Sequence, residues 1–262
     1  MAQTSATLNV MIAAARKAAR ALARDFGEVE NLQVSRKGPS DFVTAADLKA
    51  EKTLFEELSK ARPGYGFLME ERGAVEGTDK SHRWIVDPLD GTSNFMHGIP
   101  HFAISVALER EGVLVAGLVY NVVRDELFWA EKGAGAYLND RRLRVAARTD
   151  LRDALIATGI PYHGRPGHDA FLSEVARVMA NTAGVRRFGA ASLDLAYVAA
   201  GRFDGFWERG LSAWDIAAGA VIVREAGGGA NEIDGGDFMK SGAIVASNTT
   251  LLAPLARLLR GS

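Results

Sequence analysis

The chain has no cysteine among its 262 residues, which excludes disulfides, thiolate zinc centres, iron–sulfur ligation and a cysteine nucleophile. That composition fits a cytoplasmic protein. An excess of either charge is missing too. The 31 Lys and Arg stand against 32 Asp and Glu, a net charge of −1, so no bulk attraction to nucleic acid is expected. Contact with nucleic-acid machinery is not indicated, although a local basic patch could supply it. Nor is there a run of about 18 apolar residues such as a membrane span needs. The nearest approach, Met11 to Arg20, is interrupted by Arg16, Lys17 and Arg20, and reads as an amphipathic opening helix rather than a signal peptide. Asp25, Glu28 and Glu30 follow at once, which argues against an organelle transit peptide. Low-complexity linkers and fixed-period repeats are also lacking. What remains has apolar content enough for a continuous core, as one large α/β domain or two closely joined halves.

Periodicity predicts a second helix over Asp47 to Leu58, with Leu48, Leu54, Phe55 and Leu58 on one side. Phe102 to Leu108, Val113 to Tyr120 and Glu126 to Glu131 read as an antiparallel meander. The Gly- and Arg-rich stretch 132–150 is the expected meeting point of two halves. Beyond it, strands are predicted at Ala154 to Thr158, Phe203 to Glu208 and Ala243 to Ala246. Helices are predicted at Ala170 to Ala180, Ser192 to Ala200, Ala213 to Ala226 and Leu251 to Leu259. The coarse result is alternating α and β layers.

The most informative stretch runs from Trp84 to His97. A short buried strand is expected to end where Asp87 begins, Pro88 restricts the backbone, and Gly91 permits a turn that Cβ-bearing residues resist. Asp87, Asp90 and the Thr92 hydroxyl should then project from a rigid edge into a cleft. Such hard oxygen ligands suit Mg²⁺ or Ca²⁺ better than Zn²⁺. An Asp-rich surface turn would explain the same residues taken alone. Glu70-Glu71 closes another predicted strand, Tyr65 to Met69. Asp47 and Asp215 stand in Thr44-Ala45-Ala46-Asp47 and Ser212-Ala213-Trp214-Asp215, patterns that helix caps explain equally well. Together, acids at strand ends and helix starts are what a site for several cations requires, with helix amides nearby for a phosphate. His97 and His101 are spaced as zinc ligands on a helix, but Gly98 and Pro100 intervene, so packing or hydrogen-bonding roles are expected. Arg186-Arg187 fits either an anion contact or a solvated surface. The four tryptophans are expected in the core or at strand edges.

These segments resemble the inositol monophosphatase family of Mg²⁺-dependent, lithium-sensitive sugar phosphatases. Asp41 to Asp47 is similar to its D-x-V-T-x-x-D segment, Glu70-Glu71 to its paired acids, Trp84 to Phe95 to W-x-x-D-P-x-D-G-T-x-N-F, and Trp214 to Gly219 to W-D-x-A-x-G. Similarity continues through Gly189 to Leu195 and Ile244 to Asn248, and is greatest to the bacterial inositol-1-monophosphatase branch. The resemblance implies a five-layered αβαβα sandwich and two or more Mg²⁺ ions. Glu70, Asp87 and the Leu89 carbonyl would hold the first ion, and Asp87, Asp90 and Asp215 the second. Glu70 and Thr92, oriented by Asp47, would activate water for in-line attack. Substrate contacts would come from Asp90, Gly91, Thr92, Gly189, Ala190, Ala191, Glu208 and Asp215, with Arg187 beside them. Met69 and Ala190 depart from the usual Gly and Ser or Thr, which bears on pocket shape and not on the ligands. A homodimer acting on a small phosphorylated polyol is implied. The alternatives are another substrate (fructose 1,6-bisphosphate, histidinol phosphate or a nucleotide 3′-phosphate) or a regulatory partner of the RNA machinery. A haloacid-dehalogenase-type phosphatase is disfavoured, since its two Asp residues stand two apart near the N-terminus, whereas Asp87 and Asp90 are three apart.

Overall fold

The computed structural model of the chain describes residues 4–28, 34–38 and 41–261, with the backbone alone at 34–38 and 41–43. Glu30 and the side chains of Asp41, Phe42 and Val43 therefore lie outside the described residues. The first part of the chain forms α1 (Ala6–Phe26), β1 (Val34–Gly38), β2 (Asp41–Thr44), α2 (Ala45–Ala61), β3 (Tyr65–Met69), β4 (Gly73–Val75), β5 (Asp79–Asp90) and α3 (Thr92–Met96). Next come β6 (Ala103–Arg110), β7 (Val113–Asn121), β8 (Glu126–Glu131), β9 (Gly135–Leu138), β10 (Arg141–Arg142) and β11 (Leu155–Thr158). The remainder is α4 (His168–Asn181), β12 (Gly184–Arg186), α5 (Ala191–Ala199), β13 (Gly205–Glu208), α6 (Ala213–Glu225), β14 (Gly228–Glu232), α7 (Phe238–Ser241), β15 (Ile244–Asn248) and α8 (Thr249–Arg260).

These elements stack in five layers, αβαβα, as expected. Helices α1 and α2 cover one face of an eight-stranded sheet of order β10-β9-β8-β7-β6-β5-β3-β4. Helices α5 and α6 lie between it and a five-stranded sheet of order β12-β11-β13-β15-β14, whose outer face carries α4 and α8. The outer helix α1 buries one stripe, Leu8, Met11, Ala15, Ala18 and Leu22, at helical spacing. The middle helix α6 is buried all along Ile216 to Val223, because it meets a sheet on each side. Small residues set how close those layers come. A Cβ on Gly117 of β7 would fall 2.5 Å from the Ala218 carbonyl oxygen, and one on Gly219 would fall 2.5 Å from Leu195 Cβ.

The predicted strands and longer helices are present, with ends shifted by a few residues. One boundary differs in a way that matters. The strand expected to end at Asp87 continues through Asp90. Its pairing with β6 jumps from Asp87↔Ser105 to Asp90↔Ala103, one extra residue on β5 and therefore a bulge. Pro88 sits inside it, where the missing N–H costs no ladder bond. Residues three apart on a regular strand face opposite sides; the extra residue turns Asp87 and Asp90 toward the same side. The Gly- and Arg-rich stretch after Lys132 also holds β9 and β10, and the chain passes from the first sheet to the second after them.

Candidate active site

The acids gather where the bulged end of β5 meets the starts of α2, α5 and α6. Ser105, the register partner of Asp87, donates its hydroxyl to the Trp214 carbonyl at 3.2 Å, which sets the first turn of α6, and with it Asp215, beside β5. Both cap readings hold, and each capping acid also lies beside the bulged end of β5. Asp215 Oδ2 accepts from Ser212 N at 2.7 Å, closing a capping box. Asp47 Oδ2 likewise accepts from Thr44 N at 2.9 Å and Thr44 Oγ1 at 2.5 Å, while its Oδ1 is 3.1 Å from Thr92 Oγ1. Thr92 Oγ1 also lies 3.0 Å from the Leu89 carbonyl oxygen. Asp87 Oδ1 accepts from Leu89 N at 2.9 Å, which stiffens the bulge. Gly91 has φ +93°, and a Cβ there would meet the His101 carbonyl at 3.1 Å and Ala190 Cβ at 3.3 Å.

Asp90 reaches across the layers to the first turn of α5, where its Oδ2 accepts from Ser192 N at 2.8 Å and Ser192 Oγ at 2.5 Å. The Ala191 and Leu193 amides add to that grip. The amides of α5 thus hold a protein carboxylate. Asn94 ties the neighbouring segment in place, donating Nδ2 to the carbonyls of His101 and Phe188, both at 2.8 Å. Glu70 follows β3, its N–H directed to the Val86 carbonyl at 3.3 Å, and the next amide, Glu71 N, donates to buried Glu51 at 2.8 Å.

Burial, then the charges of Glu70, Asp90 and Asp215, push Asp87 well above the usual carboxylate range. Asp215 is raised well above it by burial, then by Asp90, and further by Glu70 and Glu208. Asp90 rises to about 6 through burial, restrained by its bonds to Ser192. Burial also raises Asp47, against its bonds to Thr44 and Thr92. Asp87, Asp90 and Asp215 each have one oxygen engaged by a protein donor, and Asp47 has both. Among the described residues, no three His, Cys, Asp or Glu side chains are placed as a group that could hold a metal ion. The donor chemistry nevertheless fits hard cations: buried, mutually repelling carboxylates with no thiolate or imidazole among them.

Glu208, at the end of β13, is raised to about 8 by burial and then by Asp90, with Arg187 and Arg165 opposing. Its carboxylate lies against Gly159, where a Cβ would stand 1.9 Å from Oε1. Arg187 is exposed and crosses Gly189, whose Cβ would be 2.7 Å from Nη1. Arg186 turns to its neighbour, Nη1 donating to the Val185 carbonyl at 3.0 Å. His97 Nδ1 bonds the Ser93 carbonyl at 2.7 Å and His101 packs on Phe188 and Tyr197, as expected of both histidines. Ser192, Gly159, Arg165 and the buried Asp194 carry no local signal of their own. Ser192 and Asp194 fall in a segment singled out only by resemblance.

The model of the Inositol monophosphatase family matches residues 3–261, and the chain belongs to that family. The chain is 63% identical over 257 residues to the inositol-1-monophosphatase of Mesorhizobium japonicum, covering 98% of this chain and 97% of the relative. It is 46% identical to the Nus factor SuhB of Pseudomonas aeruginosa, over 92% of this chain and 91% of that one. Among solved structures, the extragenic suppressor protein suhB of Bartonella henselae superposes with a TM-score of 0.95 at 58% identity, covering 98% of this chain and 99% of the other.

Proposed function

We propose that the chain hydrolyses a myo-inositol monophosphate to inositol and phosphate with Mg²⁺ as cofactor. The observation that carries this reading is the mutually repelling carboxylate set Glu70, Asp87, Asp90 and Asp215, gathered round buried Asp87, in a chain of this family. We assign Glu70, Asp87 and the Leu89 carbonyl to one ion and Asp87, Asp90 and Asp215 to a second. When bound, such ions supply charge neutralisation of the phosphate and acidify water.

The chain's own groups do the rest. Thr92 Oγ1, donating toward Asp47 and the Leu89 carbonyl, is held in one orientation and accepts a hydrogen bond from the attacking water, whose proton passes to the Glu70 carboxylate as general base. Asp47 fixes that hydroxyl through Oδ1 while its Oδ2 caps α2. Gly91 and Thr92 present amides to the phosphate. Glu208 meets the ring hydroxyls of the polyol, Gly189, Ala190 and Ala191 line the ring, and Arg187 stands at the mouth. Ala191 and Ser192 also position Asp90, and we treat them as positioning groups for that reason. We read the whole chain as one domain with its halves meeting near 132–150, working as a cytoplasmic homodimer. No helix of the described residues is long and apolar enough to cross a membrane.

Comparing kcat/KM for inositol 1-phosphate, fructose 1,6-bisphosphate, histidinol phosphate and a nucleoside 3′-phosphate tests the substrate. Selectivity for the inositol ester is expected, and a clear preference for another ester would replace it. The relative named Nus factor SuhB supports a second reading, a regulatory role beside the RNA machinery. The full set of acids in this chain favours turnover, and absence of hydrolysis across the panel would move the weight to the second reading.

A further inference from the structure

A cavity of about 710 Å³ opens at the far end of β6 from the acids, between the β6–β7 turn, the edge strand β14 and α8. That volume lies in the range of small-molecule sites, roughly 300–1,000 Å³. Nothing in the proposed reaction uses it. Phe238, Val245 and Leu252 give it apolar walls, while Arg224, Arg257 and Arg260 bring three guanidiniums to it.

Two of these are held in place by carbonyls. Arg224 Nη2 donates to Ala230 O at 2.7 Å, and its guanidinium lies 5.2 Å from the centre of the Phe238 ring. Arg260 Nη1 donates to Ile233 O at 2.7 Å. A guanidinium has five N–H donors, so these bonds orient each group and leave further donors over. Burial lowers Arg224 from its ordinary value, with no carboxylate opposing the shift. The acids at the cavity are engaged elsewhere. Glu232 accepts from Asp234 N at 2.5 Å, Gly236 N at 2.9 Å and Ser241 Oγ at 3.2 Å, and Asp237 accepts from Met239 N at 3.0 Å with Lys240 3.7 Å away. Arg260 shares the field of Asp234, which is itself paired with Arg209 at 2.7 Å, and Arg224 brings positive charge over an apolar, ring-bearing wall with no carboxylate acting on it. Helix α6 links this place to the candidate active site, with Asp215 in its first turn and Arg224 in its last.

We propose that this cavity binds a small organic anion, one with an apolar ring body against Phe238 and Leu252 and a sulfonate-, phosphate- or carboxylate-type head on Arg224 and Arg260. Calorimetric titration of the whole protein with 1-naphthalenesulfonate tests it, with inorganic sulfate as the comparison. One saturable site is expected, weakened by salt. Arg224→Gln and Arg260→Gln should each weaken it by about fivefold or more, a modest factor because both guanidiniums are partly exposed. Ala253→Trp, which fills the cavity from the exposed side of α8, should abolish binding with the fold intact, and it decides the matter should Arg224→Gln not fold. Asp90→Asn should leave binding unchanged. The proposal is overturned by absence of saturable binding, by unchanged affinity in Ala253→Trp, by loss in Asp90→Asn, or by equal binding of inorganic sulfate.

Discussion

Replacing Gly159 by alanine tests the assigned role of Glu208 without touching Glu208. The new methyl would stand 1.9 Å from Oε1, 2.0 Å from Cδ and 2.2 Å from Oε2. Ordinary contact begins at 3.4 Å, so the carboxylate must retreat by about 1.5 Å. A cavity of about 510 Å³ that Glu208 itself lines gives it room to do so. The fold should tolerate this, since the displaced atoms are the end of a flexible side chain and Gly159 does not need a left-handed backbone. A shift of that size breaks a hydrogen bond whose useful range spans only about 0.5 Å. At about pH 9, above the value of about 8 to which Glu208 is raised, a bond from a hydroxyl to its ionised carboxylate contributes about 1.5–3 kcal/mol, so kcat/KM for inositol 1-phosphate measured there should fall roughly 10- to 150-fold. An aryl phosphate has no ring hydroxyl for Glu208 to meet, and its kcat/KM should stay within about twofold. Steady-state kinetics on both substrates, with a melting curve to verify folding, gives the answer. Equal losses on both substrates, or no loss on either, would refute the assignment of Glu208 to the polyol.

Further outcomes are expected. Asp90→Asn should abolish turnover with an unchanged circular dichroism spectrum, and near-normal activity would remove Asp90 from the cation site. Ser192→Ala takes away the 2.5 Å bond to Asp90 and leaves the backbone donor, so kcat should drop by about tenfold, with rescue by threonine. Glu51→Ala would strip the Glu71 and Arg72 amides of their buried acceptor, costing about 2 kcal/mol in denaturant unfolding and displacing Glu70 next door. Asp90, raised from 3.8 to about 6 by burial, binds its proton more tightly folded than unfolded, so its contribution is full below about pH 4 and is lost as pH rises through about 6. That change amounts to about 3 kcal/mol, and Mg²⁺ should therefore raise the Tm of EDTA-treated protein more at pH 8 than at pH 5. Equal increments at both pH values would contradict it.

Much of this was legible in the residues themselves. The stripe of α1, the meander β6 to β8 and the Thr44 and Ser212 caps each follow from spacing within one element. The bulge at Asp87 to Asp90 was not, because it is a property of the pairing with β6 and not of β5 alone. Strand β14 escaped because Gly228 and Gly229 read as a helix stop; a Cβ on Gly228 would stand 2.7 Å from Ser247 O and one on Gly229 2.4 Å from Leu252, which is why both are glycine. Ser192 and Gly159 escaped for the same kind of reason. Ser192 meets Asp90 across 102 positions of the chain, and Gly159 matters only because Glu208 lies on it, so no local spacing marks either.

The most direct measurement is phosphate release from inositol 1-phosphate by the wild-type chain in Mg²⁺, in excess EDTA, and in Mg²⁺ with added Li⁺. Hydrolysis that requires Mg²⁺, stops with EDTA and falls with Li⁺ is the predicted result. Release that continues undiminished in EDTA would contradict the assignment of Glu70, Asp87, Asp90 and Asp215 as the cation-holding centre of the reaction.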